Sequence, residues 1–228
     1  MAEVAAASPL ASLQAVAFDL DGTLIDSVPD LAQAVDAMLA ELGAPALAAG
    51  SVTTLIGNGF EALVERAYQQ SIGRTATPAE LQQARATFAA AYSRRLFDRS
   101  AIYPRVEATL DALGERGLRV GCITNKSLVF AAPLLEAAGL RTRLDFVLAP
   151  ATVAERKPSP VLLQRALSHW AIEPPQMLYV GDSHVDIGAA RAAGSPVAFV
   201  RYGYGRVGAS GAPDYSLGCV SELLDSHP

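Results

Sequence analysis

Residues 18–27 read Phe-Asp-Leu-Asp-Gly-Thr-Leu-Ile-Asp-Ser, placing two carboxylates, Asp19 and Asp21, one residue apart. They follow an apolar run, Ala15-Val16-Ala17-Phe18, closed off by Gly22, which reads as a buried strand. Two carboxylates at the tip of such a strand are costly unless something takes up their charge. A metal ion and a phosphoryl group would do so. An Asp-Gly turn accounts for one aspartate, but not for the pair with Thr23 behind it.

Three later stretches carry similar residue types. Cys122-Ile123-Thr124-Asn125-Lys126 closes a second apolar run. The Thr124 hydroxyl and the backbone N–H groups around Asn125 suit a phosphate oxygen. They suit a helix N-cap equally well. Of the 18 basic residues only Lys126 and Lys157 are lysine, and each sits just after a predicted strand tip. A compact ammonium serves a phosphate oxygen or a carboxylate, with chance placement as the alternative. Val180-Gly181-Asp182-Ser183 closes a further run, with Asp186 four residues past Asp182. Asp182 offers a hard oxygen ligand. Asp186 could cap a helix, ligate a metal or orient Lys157. Asp19, Asp21, Asp182 and Asp186 gathered together would repel unless a cation sat among them, and Mg²⁺ matches that donor set. His169, His184 and His227 are scattered, so zinc is not indicated, and His184 is expected in a solvent-facing loop.

The elements that would position these residues follow from periodicity. Apolar runs at 15–20, 119–124, 146–148, 177–180 and 197–200 alternate with amphipathic segments at 106–116, 129–138, 160–170 and 186–193. Such alternation predicts βαβ units and a doubly wound, Rossmann-like parallel sheet, with ligands outside the strands' carboxyl ends. Between about 28 and 99 no strong strand run appears. Helices are expected there at 30–42, 60–70 and 78–97, the last with Thr77 as N-cap and Glu80 three residues on. The chain therefore reads as an α/β core (1–27 and 100–228) with a helical cap inserted after the first strand (28–99). Pro29 and Pro104 suit the two crossings, and 203–211 reads as a glycine-rich loop.

Composition narrows the partners. With 51% hydrophobic residues the chain can bury a sizeable core, and a net charge of −5 gives no support for nucleic-acid binding. No run is long and charge-free enough to span a bilayer. Residues 1–9 lack a basic n-region and are expected to be a disordered lead-in. Cys122 and Cys219 lack metal-ligand spacing and are expected as reduced thiols in a cytoplasmic protein.

In order, Asp19-Leu-Asp21-Gly-Thr23, then Thr124, then Lys157-Pro158, then Gly181-Asp182-x-x-x-Asp186 resembles the four motifs of the haloacid dehalogenase superfamily. The resemblance spans the chain. It implies that Asp19 is a nucleophile and Asp21 an acid/base, which disfavours dehalogenation. It implies that Thr124, Asn125 and Lys157 hold phosphate, and that Asp19, Asp21 (through its carbonyl), Asp182 and Asp186 surround Mg²⁺. Several stretches are similar to bacterial phosphoglycolate phosphatases: Asp26-Ser27-Val28-Pro29-Asp30-Leu31, Ile56-Gly57-Asn58-Gly59, Thr124-Asn125-Lys126, Ala190-Arg191-Ala192-Ala193-Gly194 and Tyr202-Gly203-Tyr204-Gly205. Gly205-Arg206 departs from the expected Asn-His. The implied activity is Mg²⁺-dependent hydrolysis of 2-phosphoglycolate or another small phosphorylated metabolite, by a monomer or homodimer. A phosphohexomutase or a non-catalytic binding module on the same fold are the alternatives. The cap has no lysine, which disfavours the phosphonatase branch. Gly57, Asn58 and Gly59, ahead of a predicted helix, and Arg66 are candidates for reading the rest of the substrate, against an ordinary loop and a solvated helix face.

Overall fold

The structure, a computed structural model, describes residues 12–225; the predicted lead-in at 1–9 and His227 lie outside the described residues. In chain order its strands and α-helices are β1 (Ala15–Phe18), β2 (Ile25–Asp26), α1 (Val28–Glu41), α2 (Phe60–Ile72), α3 (Pro78–Ser93), β3 (Ala101–Ile102) and α4 (Val106–Glu115). They continue as β4 (Arg119–Ile123), α5 (Leu128–Ala137), β5 (Val147–Leu148), α6 (Val161–Trp170), β6 (Met177–Gly181), α7 (His184–Ala193), β7 (Val197–Val200) and β8 (Tyr215–Leu217). Six strands form one sheet in the order β5-β4-β1-β6-β7-β8, every pair parallel. The expected doubly wound core is present.

Alternation along β1 explains the layers. Side chains one residue apart on a strand face opposite ways. Val16 and Phe18 enter a cluster with Leu110 and Leu113 of α4 and Leu134 and Leu135 of α5. Ala15 and Ala17 face Leu163 and Trp170 of α6 and Ile187 of α7. Both faces are thus covered, and a fully buried Leu or Phe of this kind contributes roughly 1.5–3 kcal/mol. Phe18 pairs with Cys122 on one side and Val180 on the other. Asp19 therefore emerges between the ends of β4 and β6, where the winding direction switches and ligands of such sheets bind.

Helices α1–α3 pack on one another around Val35, Met38, Val64, Ala84 and Phe88. The expected capping box opens α3: Thr77 Oγ1 accepts from the Glu80 N–H at 3.3 Å, and Glu80 Oε2 accepts from the Thr77 N–H at 2.8 Å. Thr77→Ala should lower stability by about 1 kcal/mol in chemical denaturation without altering kinetics.

The structure departs from the sequence reading at the cap's boundaries. Helix α3 ends at Ser93 rather than 97, because the chain must turn to meet Asp30. That buried carboxylate accepts from the backbone N–H groups of Asp98 (3.1 Å), Arg99 (2.9 Å) and Ser100 (2.8 Å), and from Ser100 Oγ (2.6 Å). The short antiparallel pair β2–β3 then joins the two crossings. Pro29 sits in the first turn of α1, where its missing N–H costs nothing.

Candidate active site

The ends of β1, β4 and β6, the loop before α6 and the first turn of α7 gather Asp19, Thr124, Lys157, Asp182 and Asp186 at one place. Lys157, 2% exposed, is the hub. Its Nζ lies 2.9 Å from Asp19 Oδ1 and 2.7 Å from Asp186 Oδ1. It also donates to Tyr179 Oη at 2.7 Å and to the Ile123 carbonyl at 3.2 Å. Burial opposes the ammonium, but Asp186 and Asp19 outweigh it and hold the group above the ordinary lysine range.

Asp19, Asp182 and Asp186 each offer an oxygen within 4.8 Å of the others. Burial pushes Asp19 up to about 7 against the pull of Lys157, with Asp186 and Asp182 adding to the rise. Burial and then Asp186 push Asp182 up to about 6, while the Gly205 and Tyr204 N–H groups pull it down. Those two N–H groups reach Asp182 Oδ2 at 2.9 and 2.7 Å. One ammonium faces three carboxylates here, and such a cluster of hard oxygens with excess negative charge fits a small divalent cation.

Asp186 is committed elsewhere as well. Its Oδ1 takes Lys157, and its Oδ2 accepts from Ser183 N (3.0 Å) and Ser183 Oγ (2.5 Å). It caps α7 and orients Lys157 at once. Asp21 stands apart from the three: its carboxylate accepts from Ser27 Oγ at 2.5 Å and from Lys126 Nζ at 3.1 and 3.2 Å. Between them, Gly22 turns with φ +86°, and a Cβ there would lie 2.5 Å from Asp182 Oδ2.

Thr124, 1% exposed, accepts from the Lys126 N–H at 3.0 Å, which leaves its hydroxyl proton free to donate. The Asn125 side chain is spoken for: it donates to the carbonyls of Gly57 (3.0 Å) and Lys157 (3.1 Å) and accepts from the Lys157 N–H (2.8 Å). Only its backbone is left for a phosphate.

A cavity of about 580 Å³ opens above these residues, between sheet and cap. Asp19, Asp21, Thr124, Lys126 and Asp182 form its floor; Ile56, Phe60, Leu63 and Arg66 line its cap side. Gly57, Asn58 and Gly59 lie on its wall, and Gly59 precedes α2. Arg206 and His184 also line it; His184 is exposed as expected but opens α7 rather than lying in a loop, because the Ser183–Asp186 capping box starts the helix there. The lysine left open between function and chance, Lys126, lies 4.8 Å from the centroid of the Tyr92 ring of α3. Sequence reasoning did not single out Tyr179, Tyr92, Thr53, Thr54 or Arg206. Only Arg206 carried a signal, its departure from an expected pattern.

A family model described as haloacid dehalogenase-like hydrolase matches residues 13–194. The chain is 41% identical over 215 residues to a phosphoglycolate phosphatase of Yersinia pestis, covering 93% of this chain and 92% of that one. It is 41% identical over 198 residues to a phosphoglycolate phosphatase of Cupriavidus necator, covering 87% and 85%. Its fold is similar to the crystal structure of a predicted phosphoglycolate phosphatase from Haemophilus somnus, with a TM-score of 0.87, 32% identity and coverage of 93% and 97%.

Proposed function

The chain belongs to the haloacid dehalogenase-like hydrolases, and from that membership we propose that it hydrolyses 2-phosphoglycolate to glycolate and phosphate through an aspartyl-phosphate on Asp19. It is a phosphoric monoester hydrolase. The observation that carries the reading is the pairing at one strand tip of Asp19, beside Lys157, with Asp21, held on a different cation, Lys126. Two carboxylates in unlike settings can take unlike roles.

Asp19 attacks phosphorus and the ester oxygen leaves. Asp21, steered by Ser27 and Lys126, gives that oxygen its proton and then takes one from the water that cleaves the phosphoenzyme. Thr124 Oγ1, the Asn125 N–H and Lys157 hold the phosphoryl oxygens as charge develops. Asp19, the Asp21 carbonyl and Asp182 would hold Mg²⁺, with Asp186 behind them through Lys157. A bound Mg²⁺ would lower the repulsion between an anionic nucleophile and an anionic substrate. The free N–H groups at the start of α2, together with Arg66, suit the carboxylate of the substrate. The insert at 28–99 acts as the cap that closes over it and excludes water.

No helix among the described residues is long and apolar enough to cross a membrane. Two free cysteines fit a cytoplasmic setting, and a cavity built from one chain fits a monomer or a homodimer with independent sites.

The test is phosphate release from a panel of small phosphorylated acids, sugars and nucleotides with Mg²⁺. The reading expects 2-phosphoglycolate to give the highest kcat/KM. An isomerised sugar phosphate without free phosphate would refute it. Mg²⁺ should also raise the melting temperature, and more at about pH 8 than at about pH 5. With folded values raised, Asp19 and Asp182 favour the metal-free fold at low pH, and that contribution fades as pH rises through about 6 to 7. Protons then cease to compete with the cation. An equal shift at both pH values would contradict this.

A further inference from the structure

Two core residues adjacent to the phosphate-holding groups reach across to the cap. Asn125 follows Thr124, and its amide donates to the Gly57 carbonyl while gripping the Lys157 peptide by both its N–H and its carbonyl. Arg156 precedes Lys157. Its Nη1 donates to the Asn58 carbonyl at 3.0 Å, and its Nη2 meets Glu61 Oε2 at 2.5 Å. Gly59, between these contacts, has φ +85°; a Cβ there would stand 3.1 Å from the Arg156 guanidinium carbon and 3.3 Å from the Asn125 carbonyl oxygen. The cap segment from Gly57 to Glu61 is therefore tied, through the Asn125 amide and the Arg156 side chain, to the stretch that carries Lys157.

We propose that Asn125 and Arg156 are positioning residues that make the placement of the Lys157 ammonium depend on the seating of the cap. This rests on the phosphatase reading of the site. The chemistry follows from the connectivity. Lys157 Nζ must sit within hydrogen-bonding reach of Asp19 and of a phosphoryl oxygen, and a displacement of about 1 Å in such a group can cost about 100-fold in rate. Asn125 fixes the Lys157 backbone, but one of its two amide protons is spent on the cap. Arg156 fixes the neighbouring peptide, but both of its contacts are with the cap. Closing the cap thus completes the mount of Lys157, and opening it loosens the mount from two sides. A bound substrate that holds α2 in place would sharpen the site it reacts in.

The experiment uses Arg156→Gln, Glu61→Gln and the double variant of the full chain. Inorganic phosphate is the probe, because one phosphoryl group reaches Lys157 and Thr124 without spanning to α2. Each single variant is expected to weaken phosphate binding, measured by calorimetry with Mg²⁺, and to lower kcat/KM for 2-phosphoglycolate, both by about tenfold, the worth of one charge-assisted contact. The double variant should be no worse than Arg156→Gln alone, since that change already removes the Glu61 contact together with the one to the Asn58 carbonyl. Glu61 is partly exposed, so Glu61→Gln keeps a folded protein for the comparison. Asn125→Ser, which shortens the bridge, should weaken phosphate binding in the same way. Unchanged phosphate affinity in Glu61→Gln and Arg156→Gln would overturn the proposal, as would effects that multiply in the double variant. If the wild-type protein neither bound phosphate nor released it from any ester, the phosphatase reading itself would fall, an outcome the variants do not produce.

Discussion

Asp19→Asn is expected to lower kcat by roughly 10⁴-fold or more while leaving a folded protein. An amide keeps the size and planar shape of the carboxylate but is not a nucleophile towards phosphorus. The remaining groups, Thr124, the Asn125 N–H and Lys157, would still hold the substrate, so KM should change far less than kcat. Stability separates this from misfolding. Burial and the neighbouring carboxylates already push Asp19 up to about 7, so its ionised form is an unfavourable occupant of the metal-free fold above that pH. The folded pKa is raised, so the group favours folding below its ordinary carboxylate value, and that contribution is lost as pH rises through about 7. The neutral amide removes the loss, and the metal-free variant should be at least as resistant to denaturant as the wild type at about pH 8. Mg²⁺ should protect it less. Residual activity within tenfold of the wild type would rule out Asp19 as the attacking group.

Lys157→Met should be the most damaging change to the fold. The ammonium touches Asp19 and Asp186 and is held by Tyr179 and the Ile123 carbonyl, with 2% of the residue exposed. Removing one partner of such a buried cluster leaves carboxylates without compensation, a cost of about 3–5 kcal/mol. Methionine fills the volume, so the loss reports charge rather than a cavity. Phosphate release should fall at least about 10³-fold, because the charge that meets the phosphoryl oxygens is gone. Chemical denaturation should show the penalty shrinking as pH falls from about 8 to about 5, when Asp19 can take a proton instead. A variant as stable as the wild type at pH 8 would mean that the ion pairs are compensated from elsewhere.

Much of this site could be read from the chain because its residue types are expensive to bury. Asp19 and Asp182 stand at the ends of apolar runs, and the sheet brings them together as the alternation of runs implies; Lys157, nine residues past the end of β5, reaches them from the loop before α6. What escaped depends on partners distant in sequence. Tyr179 lies inside β6 as one more apolar-looking residue, and only the packed fold turns its hydroxyl towards Lys157. Tyr92 reads as part of an ordinary helix face, yet it lies against Lys126, and Phe130 of α5 closes the cap's aromatic cluster from the core side. The same limit applies to the backbone. β2 and β3 have two residues each, too few for a period, and β8 is an edge strand with two of its three side chains exposed. Helix α3 stops where Asp30, far back in the sequence, collects three backbone N–H groups.

The central claim is that a phosphoryl group passes through Asp19. Rapid acid quenching of the protein during turnover of 2-phosphoglycolate with Mg²⁺, followed by peptide mass spectrometry, tests it most directly. The expected result is a phosphoryl adduct on the peptide containing Asp19 that forms before free phosphate accumulates and is missing from Asp19→Asn. An adduct on another residue, or full turnover with no adduct at any quench time, would contradict it.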